Sequence, residues 1–378
     1  MAGNRLGVLD GLRGIAIVLV VWFHIWQISW LPAPAPWLQF IPETGFIGVH
    51  LFFFISGFVI AYPFVRARLE GKPLPTWGHF AYRRAIKIVP SYLLSIALMF
   101  VIGYEHAEQS GGVLRDVITH VLFIHNWFAD TYGSINGVLW TLAVEVQFYL
   151  AFPLMCFAFL RWPYWSVAGL VTIAIVFRSA AAGSFYFLQL IEQLPAYLDF
   201  FAFGMLTAYL YVLLSNRSLA PIAQYGATLA AVAGFAALVA LMHSLFSIRH
   251  EPDGFAHWQV INRTWLALDS AVIGLGSLLG APLWKRILAN PLLVFFSIVS
   301  YNWYIYHQVV ARELWWHRLP PWIGADPHFD PHWQFWYSLI AFPATILVAA
   351  IVTYAFERPL LRLEPAWWIA RFKLQRAR

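Results

Sequence analysis

Charge is scarce in this chain. Asp, Glu, Lys and Arg make up 11% of its 378 residues, against about 25% in an ordinary soluble domain, which excludes a water-solvated surface over most of the molecule. The little charge present leans basic, at net +6 with an isoelectric point near 9.4. Its Lys and Arg residues are scattered between apolar runs, not gathered on one polar face, so the footprint of a nucleic-acid binder is missing. There is one cysteine, Cys156, inside an apolar run; no internal disulfide is possible, and a small buried hydrophobe is its simplest role. No Gly-rich phosphate loop, Gly-x-Ser-x-Gly elbow or Cys-rich cluster occurs, so nothing points to nucleotide hydrolysis or a redox cofactor. The longest connections between apolar runs, roughly 105–136 and 312–333, are too short to hold a core of their own. No internal repeat of the kind found in many transporters is evident.

What the chain has in abundance is apolar surface: 61% hydrophobic and 18% aromatic residues, with a mean hydropathy of +0.66. Windows of about 20 apolar residues predict ten spans at roughly 8–30, 46–64, 88–104, 137–160, 164–182, 195–214, 221–244, 258–280, 291–311 and 334–356, an all-α polytopic bundle forming one domain over 1–378. The first run ends near Ala33-Pro34-Ala35, a cleavage-like spacing, but its length, the crowded prolines and the presence of Arg13 and His24 mark a retained helix. With the N-terminus cytoplasmic, 18 of the 24 basic residues fall on the inner side and six (Arg115, Arg178, Arg249, Arg263, Arg312 and Arg318) on the outer side or outer helix ends, which predicts both termini inside. Val113 to Trp127 reads as a short interfacial helix carrying Arg115, Asp116, His120 and His125.

Against this apolar background each ionisable residue is costly and stands out. Arg13 and His24 lie eleven residues apart on the first helix, which puts them on one face about 16 Å apart along the axis. Arg13 also suits a snorkelling headgroup anchor, and His24 a satisfied core histidine. Glu145 sits with Gln147 inside Trp140–Tyr149, far from either end of its run; a buried carboxylate needs a cationic or imidazole partner, and His24 is the candidate, with a structural ion pair as the plainer reading. Arg83, Arg84 and Lys87 open the third span, where Arg83 and Lys87 share a face and could grip phosphates; positive-inside anchoring accounts for them equally. His50 and Ser56 lie in an aromatic run whose Gly48 and Gly57 permit close helix approach. On the ninth span Tyr301, Tyr304 and His307 recur at i, i+3 and i+6, either lining a cavity or forming an aromatic belt. His328 and His332 have metal-ligand spacing, but Pro327 and Pro331 speak against a regular helix there, and no metal site is expected. Trp315, Trp316, Trp322, Trp333 and Trp336 could stack on sugars or sit at the interface.

These runs, in this order, resemble the acyltransferase 3 family of membrane acyltransferases. The family's Arg/Lys-x10-His pattern falls on Arg13 and His24, its Gly-Val-Asp-Leu-Phe-Phe-x-x-Ser-Gly run on Gly48–Gly57, its Arg-rich run on Arg83–Pro90, and its Trp-x-Leu-x-Val-Glu-x-x-Phe-Tyr on Trp140–Tyr149, with Ser300-Tyr301, His307 and Phe356–Pro359 similar late in the chain. His50 stands where Asp is common, Val146 where a second Glu is common, and Lys87 where Arg is common. Many relatives carry an extracytoplasmic esterase-like domain, and none is expected here.

The resemblance implies an enzyme of the bacterial inner membrane, moving acetyl or another short acyl group from cytoplasmic acyl-CoA, a co-substrate rather than a bound cofactor, to a hydroxyl of a carbohydrate or glycosylated molecule. On this expectation His24 is the general base, Glu145 orients it, Arg13, Arg83, Arg84 and Lys87 hold the donor, and His50, Ser56, Trp140, Tyr149, Tyr301, Tyr304 and His307 line the substrate site. An acyl-histidine intermediate is the rival mechanism. A secondary transporter or flippase would also keep such residues inside a ten-helix bundle, and a scaffold subunit would bind no ligand; stabilisation by acetyl-CoA separates both from an acyltransferase.

Overall fold

A computed structural model describes residues 6–102, 112–215, 219–324 and 326–363; the basic residues Arg5, Arg217, Arg371, Lys373, Arg376 and Arg378 lie outside them. Among the described residues all regular structure is helical. Ten long helices carry the architecture: α1 (Gly7–Ser29), α2 (Gly48–Leu69), α3 (Trp77–Val101), α4 (Trp140–Arg161), α5 (Pro163–Ala181), α6 (Leu198–Ser215), α7 (Pro221–Ile248), α8 (Arg263–Leu279), α9 (Pro291–Trp316) and α10 (Pro331–Ile351). Proline starts α5, α7, α9 and α10, where its missing N–H and fixed φ cost nothing. Asn290 caps α9 by accepting from the Leu292 and Leu293 amides at 3.0 Å, and Asp330 caps α10 through the His332 amide at 2.9 Å. Pro331 therefore opens a regular helix where the sequence suggested none, with His332 in its first turn.

Eight helical segments are long and apolar enough to cross a membrane, or nine when the α8 segment and Pro282–Leu288, bent by 118°, count as one span. The difference from the ten expected spans has physical causes. The eighth is shortened to 17 residues and broken. The ninth, α9, has 26 residues but is polar along its middle, where Ser297, Ser300, Tyr301, Asn302, Tyr304, Tyr306 and His307 follow one another.

The segment Pro36–Leu69, which includes α2, is the central element, with 83% of its apolar window buried inside the protein, against 22% for α5, whose apolar sides face outward to lipid. Two glycines set the closeness of α2 and α6. A Cβ on Gly57 would lie 2.4 Å from the Phe201 carbonyl oxygen, and one on Gly204 2.2 Å from that of Phe54, so only glycine allows the two backbones to meet.

The expected interfacial helix is present as Val113–Val121, followed by a 3-10 turn at His125–Trp127. Its polar side faces inward: Asp116 and His120 are buried while Leu114 and Leu122 are exposed. Gln147 reaches this layer, donating to the Phe123 carbonyl at 2.8 Å and to Asn126 Oδ1 at 2.9 Å. It fixes the loop rather than lining the site.

Candidate active site

Three cavities follow one another through the bundle. The first, about 430 Å³, is basic: Arg13, Arg83, Arg84, Lys87 and Arg358 line it with Asp10 and Glu357. It opens among the N-terminal halves of α1, α3 and α9, the middle of α2 and the short helix Arg358–Leu361 that follows α10. The second is narrow, about 100 Å³, and holds Ser56, Glu145, Tyr149, Tyr301 and Tyr304; it shares Arg13, Arg84 and Lys87 with the basic chamber. The third, about 390 Å³, contains His24, His50, Trp140, Glu192, Tyr197 and Arg263, and shares Val49 and Tyr304 with the narrow one. Because consecutive helices alternate in direction, the C-terminal half of α1 and the N-terminal ends of α2 and α4 put this histidine chamber at the face of the bundle opposite the basic chamber.

His24 has a defined tautomer. Its Nδ1 lies 2.9 Å from the Val20 carbonyl oxygen and 3.0 Å from His307 Nε2. A carbonyl can only accept, so Nδ1 carries the proton and Nε2 the lone pair. His307 is fixed in the same way, its Nδ1–H pointing at the Tyr304 carbonyl oxygen at 2.7 Å and the Trp303 one at 3.0 Å, which makes its Nε2 the acceptor facing His24. The His24 Nε2 edge has no hydrogen-bond partner among the described residues, so its lone pair is free to accept a proton.

The expected pairing of His24 with Glu145 is corrected. Glu145 lies in the narrow chamber, where its Oε1 accepts from Ser56 Oγ at 2.8 Å and from the Tyr149 hydroxyl; the partner of His24 is His307. His307, expected among the substrate-binding residues, is fully buried and absent from the walls of all three cavities. The i, i+3, i+6 spacing carries it off the face that Tyr301 and Tyr304 share and turns it towards α1.

The basic residues also separate. Lys87 pairs with the buried Glu357, whose other oxygen accepts from Asn302 Nδ2 at 2.7 Å, and its ammonium lies 4.9 Å from the centre of the Tyr301 ring. Lys87 is thus neutralised within the protein rather than free to hold a donor. A π-helical turn, Val352–Glu357, brings Glu357 into this contact; such turns often mark functional positions. Arg13, Arg83 and Arg84 have no ion pair among the described residues, and Arg358, which the sequence reading did not assign to the site, joins them. Tyr301 spends its hydroxyl on the Ile88 carbonyl at 2.7 Å and offers the narrow chamber only its ring. Glu192 and Arg263 were missed as site residues: both sit at or beyond the ends of apolar runs, where hydropathy gives no signal of what they face.

A family model described as an acyltransferase domain matches residues 6–354. The chain belongs to the acyltransferase 3 family. Among curated proteins, the peptidoglycan O-acetyltransferase OatA of Listeria monocytogenes is 28% identical over 165 residues, 41% of this chain and 24% of that protein. The O-acetyltransferase OatA of Staphylococcus aureus is 30% identical over 158 residues, 39% of this chain and 24% of that protein. The matches to this acyltransferase 3 member thus span about a quarter of the relatives' own length. No solved structure matches the chain.

Proposed function

We propose that this protein is a membrane O-acyltransferase that moves an acetyl or other short acyl group from cytoplasmic acyl-CoA to a hydroxyl on a carbohydrate or glycosylated molecule, in a bacterial inner membrane. The observation that carries the reading is the series of chambers, with unpaired guanidinium groups at one end and a bare imidazole edge at the other. In the proposed topology the bundle makes ten crossings with both termini cytoplasmic, the broken eighth and polar ninth helices included. The basic chamber then faces the side where acyl-CoA is found. Arg83, Arg84, Arg13 and Arg358 hold its phosphates, with forks that match phosphate oxygens.

The separation of Arg13 and His24, about 16 Å along α1, is a distance that an extended pantetheine arm covers. The arm lies in the narrow chamber past Tyr149 and Glu145, and the thioester reaches His24. There Nε2 takes the proton of the acceptor hydroxyl while that oxygen bonds to the thioester carbonyl carbon. Collapse of the tetrahedral intermediate breaks the carbon–sulfur bond, and the departing CoA thiolate recovers the proton from the imidazolium. His307 holds the His24 ring at the Nδ1 side, so the lone pair stays on Nε2.

The test is acetyl-CoA in the purified full chain. It should raise Tm and support acetylation of a hydroxyl acceptor, and His24→Ala should abolish transfer while keeping the Tm rise. Full transfer by a well-folded His24→Ala variant refutes the assignment.

A further inference from the structure

The histidine chamber contains a charge that the protein itself leaves unbalanced. Arg263 is fully buried, and none of its nitrogens lies within ion-pair distance of a carboxylate among the described residues. Its face is taken by Tyr197, whose ring centre is 3.7 Å from the guanidinium carbon. One nitrogen, Nη1, donates to the Ile191 carbonyl at 3.0 Å. The remaining edge, Nε and Nη2, has no partner, and these two N–H groups are the parallel fork that receives two oxygens of one carboxylate or phosphate.

Neighbouring carboxylates are otherwise engaged. Asp199 accepts from Arg178 at 2.8 Å and Thr264 at 2.9 Å, and Glu43 faces Arg249 at 3.3 Å. Glu192, in the connection before α6, accepts from the Tyr132 hydroxyl and makes no ion pair with Arg263; burial pushes its carboxyl up to about 8, though Arg263 works the other way. Beside Arg263, Gln259 Oε1 and both nitrogens of His50 are buried without partners, and the His50 ring packs on the same Tyr197 at 5.5 Å. A buried cation without a counter-ion is expensive, and a cluster of unpartnered polar groups around it, in the chamber that holds the catalytic base, suits a ligand better than packing.

From this geometry we infer that the acceptor carries an anionic oxygen group, a carboxylate or a phosphate, close to the hydroxyl that is acylated, and that Arg263 anchors it through its Nε–Nη2 fork. The inference rests on the histidine chamber being the acceptor side of the proposed transferase. Both N–H groups are covered in this structure, so a wall side chain of the chamber moves when the anion binds.

The experiment uses the purified full chain and three probes: glucuronate, glucose 1-phosphate and methyl glucoside. Without any donor, at least one anionic probe should raise Tm at concentrations where methyl glucoside does not, and the arm that responds tells carboxylate from phosphate. With acetyl-CoA, kcat/KM for that probe should exceed the value for methyl glucoside at least tenfold. Arg263→Gln should remove the preference and Arg263→Lys should keep part of it. His50→Asp, which brings a carboxylate to the same ring, should remove the preference without touching Arg263, so the inference stays testable if Arg263→Gln fails to fold. Equal response to the neutral and anionic probes, no response to any of them, or a preference that survives Arg263→Gln overturns it. Stabilisation by acetyl-CoA is scored separately, so failure on the donor side is recognised as failure of the transferase reading and not of this one.

Discussion

The two large chambers hold similar numbers of ionisable groups and treat them in opposite ways. In the basic chamber Arg13, Arg83 and Arg84 stand free of ion pairs among the described residues, and of the carboxylates present Glu357 is taken by Lys87 and Asp10 accepts from Ser297 at 3.1 Å. The result is an open positive field that collects an anion from water without demanding one geometry. In the histidine chamber most groups are locked, His24 to Val20 and His307, Arg249 to Glu43 and Glu192 to Tyr132, while the unpartnered edges of Arg263, His50 and Gln259 are confined to one corner. Fixed hydrogen bonds set the His24 end of that chamber, as the proposed orientation of one hydroxyl against one imidazole lone pair needs. On the proposed function, the contrast separates recognition of a donor by its phosphates from positioning of the reacting atoms.

Mutations break this contrast at measurable points. The largest effect belongs to His24→Ala, which removes the proposed base: acetyl transfer should fall about 10²–10⁴-fold in a steady-state assay, with the acetyl-CoA Tm shift retained. Next, Arg83→Gln combined with Arg84→Gln should raise KM for acetyl-CoA by about tenfold or more and change kcat little, as expected when uniform binding is lost; a fall in kcat at unchanged KM would move these residues out of donor binding. His307→Phe should lower kcat several-fold, because His24 Nδ1 keeps the Val20 carbonyl but loses its second partner; leaving KM for both substrates unmoved distinguishes this from a packing defect. The smallest effect is ionic: raising salt from about 0.05 M to 0.5 M shortens the screening length and should weaken the donor's KM a few-fold, leaving the preference among acceptors as it was.

Much of the architecture is legible in the sequence because a bilayer imposes one rule, about 20 apolar residues per crossing. That rule holds for α1–α7 and α10. It fails for α9, where site chemistry displaces apolar residues, and for α8, where the chain turns by 118°. Intramembrane ionisable residues likewise point to the site: Arg13, His24, His50, Arg84, Lys87 and Glu145 all line the three chambers. Their pairings are not legible. Helical periodicity gives the face a side chain shares with its own neighbours, but not its depth against another helix, so Glu145 and His24 both turn inward and still sit in different chambers. Glu192, Arg263 and Arg358 lie at helix ends or in connections, where a charged residue is unremarkable in sequence and its environment depends on the tertiary turn that buries it.

A structure of the full chain with bound acetyl-CoA tests the proposed transfer most directly. Its phosphates should lie on Arg83, Arg84 and Arg358, its pantetheine should thread past Tyr149 and Glu145, and its thioester carbonyl should sit within reach of His24 Nε2. Acetyl-CoA lodged with its phosphates in the histidine chamber, or its thioester halted in the narrow chamber behind an unbroken wall at Val49 and Tyr304, would contradict the proposed transfer.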